Sequence, residues 1–294
     1  MIARTPLVVP FTKMNGAGND FVVLDNRFLR FSADELEALA RQACPRRTGV
    51  GADGLLALDE PDAGTDADFR MRYRNADGSL ATMCGNGARC LARFAARAGL
   101  GTADPDGTVS VAFDTDGGPY RARVAGRSGS GPVELDVPPP RDFGRAAVDG
   151  ADDVLRIWTG TEHAVVFTPD VDAADVAGTG PRLRHDAAFA PAGTNVNFVE
   201  VVEAGERPRV RARTFEKGVE AETLACGTGA MAAALAARLA GRIDGADGGR
   251  QSVAVEMPGG TLTVGFRVAG EAVSDLTLAG PADTVYEGTL EWAG

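Results

Sequence analysis

The chain has 294 residues and a net charge of −11, and 44% of its residues are hydrophobic. This hydrophobic fraction supports a packed core and excludes wholesale disorder, and the length suits two domains of ordinary size. The acidic balance argues against a nucleic-acid surface, which requires clustered positive charge. No apolar run approaches the roughly 20 residues that span a bilayer and no export signal is visible, so we expect a cytoplasmic protein.

The cysteines and histidines are too few and too widely spaced for a fold held together by disulfides or by a metal ion. There are four cysteines and two histidines, and no two cysteines are spaced as in a CxxC motif. A disulfide framework is not expected in a cytoplasmic chain of this size, and the pattern predicts no structural zinc site.

The predicted elements begin with a helix. Ser32 and Glu35 form a capping box, which predicts a helix that runs to about Ala43. Two further helices are predicted after cysteine–glycine turns at residues 83–87 and 225–229, and they end near Gly99 and Gly241. Runs of alternating apolar and polar residues predict half-buried antiparallel strands at 109–113, 120–124, 133–137, 210–215, 252–257 and 262–266.

The two cysteine–glycine turns indicate an internal duplication. Cys84 and Cys226 are 142 residues apart, close to half the chain, and each precedes an alanine-rich helix. The second helix is apolar almost all round, which is typical of a helix buried on every side. We therefore expect two halves, each with strands around one buried helix. The Gly- and Ser-rich segment 125–132 is either a linker between them or a long hairpin loop.

The same turns predict acid–base chemistry. Backbone N–H groups in the first turn of a helix lack intrahelical partners, and with the helix dipole they make a thiol there more acidic than the free value of about 8.5. Glycines let a carboxylate approach these N–H groups closely. Two such turns suit inversion at the α-carbon of an amino acid, in which one thiolate removes the proton and a thiol on the opposite face delivers another.

Other chemistries fit the residues less well. Gly85-Asn86-Gly87 is not a dinucleotide-binding fingerprint, because Cys90 stands where the third glycine is needed. Nucleophilic hydrolysis by a cysteine with His163 would leave the second cysteine turn without a purpose. Cys44 and Cys90 lack the context of a helix start, so we interpret them as packing residues.

At these residues the chain resembles diaminopimelate epimerases, nearly from end to end. The matching segments are Lys13–Phe21, Gly49–Gly54, Asn75–Ser79, Met83–Cys90, Gly193–Phe198 and Glu222–Gly229. The resemblance implies conversion of LL- to meso-diaminopimelate, in lysine and cell-wall synthesis, by a homodimer that uses neither pyridoxal phosphate nor a metal ion.

The resemblance also implies a fold and its domain limits. The fold class is α+β, with two pseudo-symmetric halves, each a mostly antiparallel sheet or barrel wrapped around a buried central helix. The last strand returns to the first half, so residues 1–128 and 278–294 form the half that carries Cys84. Residues 129–277 form the half that carries Cys226.

The family's functional positions fall on identifiable residues of this chain. Cys84 and Cys226 match the acid/base pair, and His163 matches a histidine that tunes the cysteines, an auxiliary role that Glu216 shares. The backbone positions that hold the reacting carboxylate are Gly85, Asn86, Gly227 and Thr228. The remaining positions expected to bind substrate are Asn19, Asn75, Thr161, Asn195, Glu216 and Lys217.

Departures from the family pattern concern specificity. Thr161-Glu162 replaces the usual Asn-Pro before the histidine, and Lys217 replaces an arginine. Lysine cannot grip a carboxylate with two parallel hydrogen bonds as a guanidinium does. The chain is therefore either a variant in which Thr161 and Lys217 still bind the distal end of the substrate, or an enzyme of altered specificity.

Three alternatives remain at this stage. One is a racemase for proline, histidine or diaminobutyrate, although proline-type enzymes tend to carry His at the position of Asn86. Another is a binding protein that lost catalysis, which retention of both cysteines disfavours. The third is a redox sensor, since two acidic thiols in one cleft can oxidise to a disulfide.

Overall fold

The computed structural model describes residues 6–127, 131–148 and 153–292. Contacts divide the chain into two compact units: the N-terminal unit, Met1–Leu135 with Gly280–Gly294, and the C-terminal unit, Asp136–Ala279. The predicted limit between residues 128 and 129 lies outside the described residues. The predicted domain limits therefore stay a prediction.

The N-terminal unit contains a mixed sheet and three helices among its described residues. The helices are α1 (Asn26–Leu29), α2 (Ala33–Ala43) and α3 (Gly85–Arg97). The strands are β1 (Leu7–Gly16), β2 (Asn19–Asp25), β3 (Gly54–Asp59), β4 (Phe69–Asn75), β5 (Thr102–Ala103), β6 (Val109–Thr115), β7 (Gly118–Val124), β8 (Val133–Asp136, which reaches the limit of the unit) and β18 (Asp283–Trp292).

The described residues of the C-terminal unit form two α-helices, a 3₁₀ turn and nine strands. The helices are α4 (Val176–Arg184), a 3₁₀ turn (Ala187–Phe189) and α5 (Gly227–Leu239). The strands are β9 (Arg141–Arg145), β10 (Val154–Trp158), β11 (Glu162–Phe167), β12 (Asn195–Glu203), β13 (Arg209–Glu216), β14 (Ala221–Thr223), β15 (Arg250–Met257), β16 (Gly260–Ala269) and β17 (Ala272–Gly280).

Strand pairing follows one order in both units. In the N-terminal unit β1–β2 is antiparallel, β2–β3 parallel, β3–β4 antiparallel, β4–β6 parallel and β6–β7 antiparallel. In the C-terminal unit β10–β11, β11–β12, β12–β13, β13–β15 and β15–β16 repeat this sequence of directions. Each parallel step is a crossover, and the first one contains α2 or α4. The pairing supports the predicted duplication.

One helix lies at the centre of each unit. α3 packs against β1, β2, β3, β6 and β7, and α5 packs against β10, β11, β12, β13, β15 and β16. Every residue of α5 from Gly229 to Ala237 is buried, as its apolar sequence predicts. The predicted α+β class, with strands around a buried helix in each half, is confirmed.

The central helices begin three residues earlier than predicted. They start at Gly85 and Gly227, directly after the cysteines, instead of after Gly87 and Gly229. The sequence suggested a longer turn because glycine has low helix propensity, but tertiary packing overrides that preference. The capping box at Ser32 and the end of α2 at Ala43 are as predicted.

Among the residues that the structure describes, no helix is long and apolar enough to cross a membrane.

Candidate active site

Both cysteines of interest are the N-cap residues of the central helices. Cys84 has φ −142° and ψ 120°, and Cys226 has φ −124° and ψ 110°, so both backbones are extended as an N-cap requires. Gly85-Asn86 and Gly227-Thr228 form the first turns that follow. The N-cap position lies next to the N-terminal N–H groups of a buried helix, where negative charge is stabilised.

In the N-terminal unit a chain of hydrogen bonds fixes the side chain of Asn86. The guanidinium of Arg89, which is 0% exposed, donates from Nη2 to Asn86 Oδ1 at 2.8 Å and from Nη1 to Gly85 O at 3.3 Å. Asn86 Nδ2 then donates to Asn19 Oδ1 at 2.5 Å, and Asn19 Nδ2 donates to Asp53 Oδ2 at 3.0 Å. Both amide orientations follow from Arg89 at one end and Asp53 at the other.

A cluster of charges holds the Asp53 end of this chain. Arg46 donates to both carboxylate oxygens of Asp20 and to Asp53 Oδ1, and the buried Lys13 pairs with Asp20 at 2.7 Å. Burial of Asp20 acts to raise its pKa, but the hydrogen bonds from Arg46 and Lys13 outweigh burial and lower the pKa to about 2. Lys13 also donates to Gly51 O. One of the two lysines of the chain thus anchors the strands beside α3.

Asn75 lies at the same end of the sheet as Asn19. Asn75 is opposite Gly54 at the end of β4, and Gly54 is opposite Phe21 near the start of β2. The side chain of Asn75 donates to Ser79 Oγ at 3.0 Å, so it is held in its own turn and is not part of the chain that links Asn19 to Asn86.

In the C-terminal unit the Cys226 turn is tied to the loop between β10 and β11. Cys226, which is 7% exposed, accepts at Sγ from Gly229 N at 3.4 Å, and its Sγ lies 3.4 Å from Thr228 Oγ1. Thr159 Oγ1 donates to Thr228 O at 2.8 Å. A Cβ on Gly160 would come within 3.2 Å of the Thr228 side chain. The loop that carries Thr161 therefore packs directly on the Cys226 turn.

His163 is buried and neutral. Burial and the nearby charge of Lys217 lower its pKa to about 3. Asn197 Nδ2 lies 3.0 Å from Nδ1 of His163, while Asn197 Oδ1 accepts from Thr214 Oγ1, so Asn197 donates and the ring proton is on Nε2. Nε2 has no hydrogen-bond partner among the described residues. A buried donor without a partner is costly, so this N–H is available for a substrate or a catalytic group.

Four of the other predicted residues lie at one end of the C-terminal sheet. Asn195 donates from Nδ2 to Glu162 O at 3.1 Å and accepts at Oδ1 from Lys217 N at 2.8 Å. Lys217 Nζ lies 2.6 Å from Glu162 Oε2, which also accepts from Thr161 Oγ1 at 3.0 Å. Glu216 is held separately, by a hydrogen bond from Thr223 Oγ1 to its Oε2 at 2.7 Å, and burial raises its pKa.

Cys44 and Cys90 are packing residues, as the sequence predicts. Both are buried, and burial raises the pKa of Cys44 to about 11 and that of Cys90 to about 12. Thiols of this kind remain protonated near neutral pH and are inert.

Sequence reasoning assigned no role to Arg89, Asp53 or Thr159, and it named Glu162 only as a departure from the family pattern that concerns specificity. The signal for Arg89 was present, since a charged residue stands among small and apolar residues on the buried face of a predicted helix. The contacts of Thr159 and Glu162 depend on how loops meet, and no periodic pattern reports such contacts.

Comparison with known proteins gives one family. The chain matches the diaminopimelate epimerase family over residues 11–135 and 156–285. A diaminopimelate epimerase of Chlorobaculum tepidum is 41% identical over 278 residues, which cover 94% of this chain and 99% of that protein. The enzyme of the same name from Aquifex aeolicus is 38% identical and covers 95% of this chain and 97% of its own length.

Solved structures share the fold at low identity. A Bacillus anthracis phenazine biosynthesis protein of the PhzF family has a TM-score of 0.72 at 16% identity, with 97% of this chain and 99% of that chain covered. A hydroxyproline epimerase from Agrobacterium vitis has a TM-score of 0.67 at 18% identity, with 98% and 93% covered. With the matches in sequence, these findings establish that the chain belongs to the diaminopimelate epimerase family and is an isomerase.

Proposed function

We propose that the protein converts LL-diaminopimelate to the meso isomer with Cys84 and Cys226 as its acid/base pair. The observation that carries the proposal is the duplicated turn: each cysteine caps the central helix of one unit in the same extended conformation. In this proposal the two cysteines act on opposite faces of one substrate.

The proposed reaction needs one thiolate and one thiol. The thiolate removes the α-proton, and the charge that develops on the reacting carboxylate is stabilised by the backbone N–H groups of Gly85, Asn86, Gly227 and Thr228. The opposite thiol donates its proton to the other face of the α-carbon, which inverts the stereocentre. Each turnover therefore exchanges the protonation states of the cysteines, and the reverse reaction restores them. The buried Nε2–H of His163 is the donor proposed to tune Cys226.

The distal amino-acid group of the substrate binds away from the cysteines. Amide side chains supply donors to its carboxylate and acceptors to its ammonium, and a carboxylate and a lysine strengthen both interactions. We assign these contacts to Asn19, Asn75, Thr161, Asn195, Glu216 and Lys217.

The proposal includes the setting of the enzyme. We place it in the cytoplasm, in the synthesis of lysine and of the cell wall, as a homodimer without a nucleic-acid or membrane partner. The net charge of −11 and the absence of a spanning helix from the described residues are consistent with this setting.

The test is proton exchange in deuterated water. Wild-type protein incubated with LL-diaminopimelate and no added cofactor should give meso product that carries α-deuterium. Cys84→Ala and Cys226→Ala should each lower the rate of inversion by at least about 100-fold, the usual contribution of one acid/base group. Cys44→Ala is the matched control, because it removes an inert buried thiol, and it should retain the wild-type rate.

Two outcomes would redirect the proposal. Turnover of proline, histidine or 2,4-diaminobutyrate instead of diaminopimelate would keep the two-cysteine mechanism and change the substrate. No exchange by reduced protein with any of these amino acids would overturn the enzymatic function.

A further inference from the structure

The pair formed by Glu162 and Lys217 stands at the end of the C-terminal sheet, beside the Cys226 turn. Lys217 Nζ and Glu162 Oε2 are 2.6 Å apart, and their side chains are 24% and 41% exposed. Burial acts to raise the pKa of Glu162, but the hydrogen bonds from Lys217, from a backbone N–H and from Thr161 together outweigh burial and lower the pKa, so the carboxylate is charged. Both side chains are open to solvent.

The backbones beneath this pair are held rigidly. The side chain of Asn195 bridges Glu162 O and Lys217 N, and it is itself 3% exposed. The neighbouring residue Thr159 ties the same loop to Thr228. The two side chains can therefore reorganise while their attachment points stay fixed relative to the Cys226 turn.

Hydrogen-bonding capacity remains on both members of the pair. A carboxylate has about four lone-pair positions, of which Lys217 and Thr161 use two on one oxygen. An ammonium has three N–H donors, and the ion pair uses one. A molecule with its own adjacent ammonium and carboxylate can dock against this pair with each charge facing its opposite.

We propose that Glu162 is a specificity-determining residue that binds the distal ammonium of the substrate while Lys217 binds the distal carboxylate. The inference rests on the proposed function and deepens it: the enzyme selects substrates whose far end is a second zwitterionic α-amino acid group. Glu162 and Lys217 together carry no net charge, so the pair matches a neutral zwitterion better than it matches an isolated carboxylate or amine.

Truncated substrates separate the two contacts. L-2-Aminopimelate lacks the distal amino group, and L-lysine lacks the distal carboxylate. Glu162→Gln should lower kcat/KM for LL-diaminopimelate by about 10- to 100-fold, the range expected for a hydrogen bond to a charged group, mostly through KM. It should leave the slow α-deuterium exchange of L-2-aminopimelate unchanged within about twofold. Lys217→Met should lower the diaminopimelate rate while leaving exchange of L-lysine unchanged.

The matched control is Glu256→Gln, which breaks another partly exposed ion pair of the same unit, with Arg209 at 2.9 Å. This variant should change neither kcat/KM for LL-diaminopimelate nor the α-deuterium exchange of L-2-aminopimelate. Because partly exposed ion pairs contribute little to stability, all three variants should fold, which far-ultraviolet circular dichroism checks.

Two results would overturn the assignment in different ways. If Glu162→Gln slows diaminopimelate and L-2-aminopimelate equally, or slows neither, Glu162 does not read the distal ammonium although the proposed function stands. If wild-type protein exchanges no α-proton of diaminopimelate, the proposed function fails and this assignment fails with it.

Discussion

Arg89 and Met231 occupy the same position in the two halves, five residues after the cysteine that caps each central helix. Met231 is apolar, so it can be buried without a hydrogen-bond partner. Arg89 is fully buried, and its guanidinium is satisfied by Asn86 Oδ1, Gly85 O and Pro281 O. Burial lowers the pKa of Arg89, which measures how much solvation it has lost. Arg89 is thus one of the features that distinguish the two turns.

We expect Arg89→Met to lower the free energy of unfolding by about 2–3 kcal/mol, because it leaves buried acceptors without a donor. It should also slow epimerisation, since the amides of Asn86 and Asn19 lose their fixed orientation. Urea unfolding and the exchange assay measure the two effects. Arg267→Met is the control, since Arg267 forms a partly exposed ion pair with Asp275 and should cost about 1 kcal/mol or less. An equal loss of unfolding free energy in the two variants would contradict the assignment of Arg89 as a donor to buried acceptors.

The pH dependence of stability should report His163. Its folded pKa of about 3 lies below the unfolded value of about 6.5, so the unfolded chain binds a proton that the folded chain does not. The contribution of the neutral His163 ring to the free energy of unfolding is therefore fully present above about pH 6.5. It falls by about 1.4 kcal/mol per pH unit as the pH drops toward 3. His163→Gln should remove this one-proton component from unfolding curves measured between pH 7 and 5. An unchanged slope would show that the ring is not buried neutral.

Residue identities were predictable where chemistry is local. The raised acidity expected for a thiol at a helix start depends only on the backbone, so the two cysteine turns could be identified from the sequence. The roles of Arg89 and Asp53 were not, because they act through Asn86 and Asn19, which are brought together by the packing of α3 on β1 and β2. Sequence patterns report burial and do not report which polar groups meet.

The helix starts show how elements position the cysteines. Gly87 and Gly229 are equivalent residues in the first turns of α3 and α5, but their surroundings differ. A Cβ on Gly229 would lie 2.5 Å from Asn197 Oδ1 and 3.1 Å from Thr214 Oγ1. A Cβ on Gly87 would lie no closer than 3.3 Å to any neighbour, and these are the ends of Leu56 and Phe21.

We expect Gly229→Ala to destabilise the fold by about 2 kcal/mol or more, because it must push Asn197 away from His163 and Thr214. Gly87→Ala should change stability by less than about 1 kcal/mol, since flexible side-chain ends can shift and alanine has the higher helix propensity. Urea unfolding of the two variants compares them directly. Equal destabilisation would show that the turns tolerate side chains alike.

For secondary structure, the sequence predicted whether a segment is a helix or a strand better than it predicted which strands pair. Five of the six predicted strand segments lie wholly in strands, the segment 133–137 passes the end of β8 by one residue, and the capping box begins α2 as expected. The parallel pairings β2–β3 and β11–β12 were not predicted. Alternation of apolar and polar residues identifies the buried face of a strand, but it contains no information about which strand lies beside it.

For the whole molecule, β18 is the element that bears on assembly. Every residue from Asp283 to Trp292 is exposed or half-buried, although the strand pairs with β1 along its length. Val285 and Tyr286 on β18, with Leu7 and Val8 on β1, are large apolar residues of which between 44% and 57% is exposed. Leu7 and Val8 lie at the other end of the strand pair from Val285 and Tyr286, so we place the contact of the proposed homodimer at the Val285 end of β18. A second copy of the chain is the occupant that the proposed homodimer supplies.

We expect Val285→Glu to shift the protein from dimer to monomer in sedimentation velocity, because a charge on the contact would have to be desolvated. Val202→Glu is the control, since Val202 is also exposed but lies on β12 of the other unit. A wild-type protein that sediments as a monomer would contradict the dimer itself. Dissociation by the Val202 variant alone would place the contact elsewhere.

The pairing of β18 with β1 also has a consequence for how the protein is made. β1 is synthesised before the C-terminal unit, but its partner β18 is completed only at Trp292, after that unit. At about 5–20 residues per second, the ribosome needs roughly 8–30 s to extend the chain from the end of β8 to Trp292. During this interval the N-terminal unit exposes an unpaired strand edge, which is prone to aggregate. The nascent chain is therefore most exposed to aggregation while its second half is still emerging.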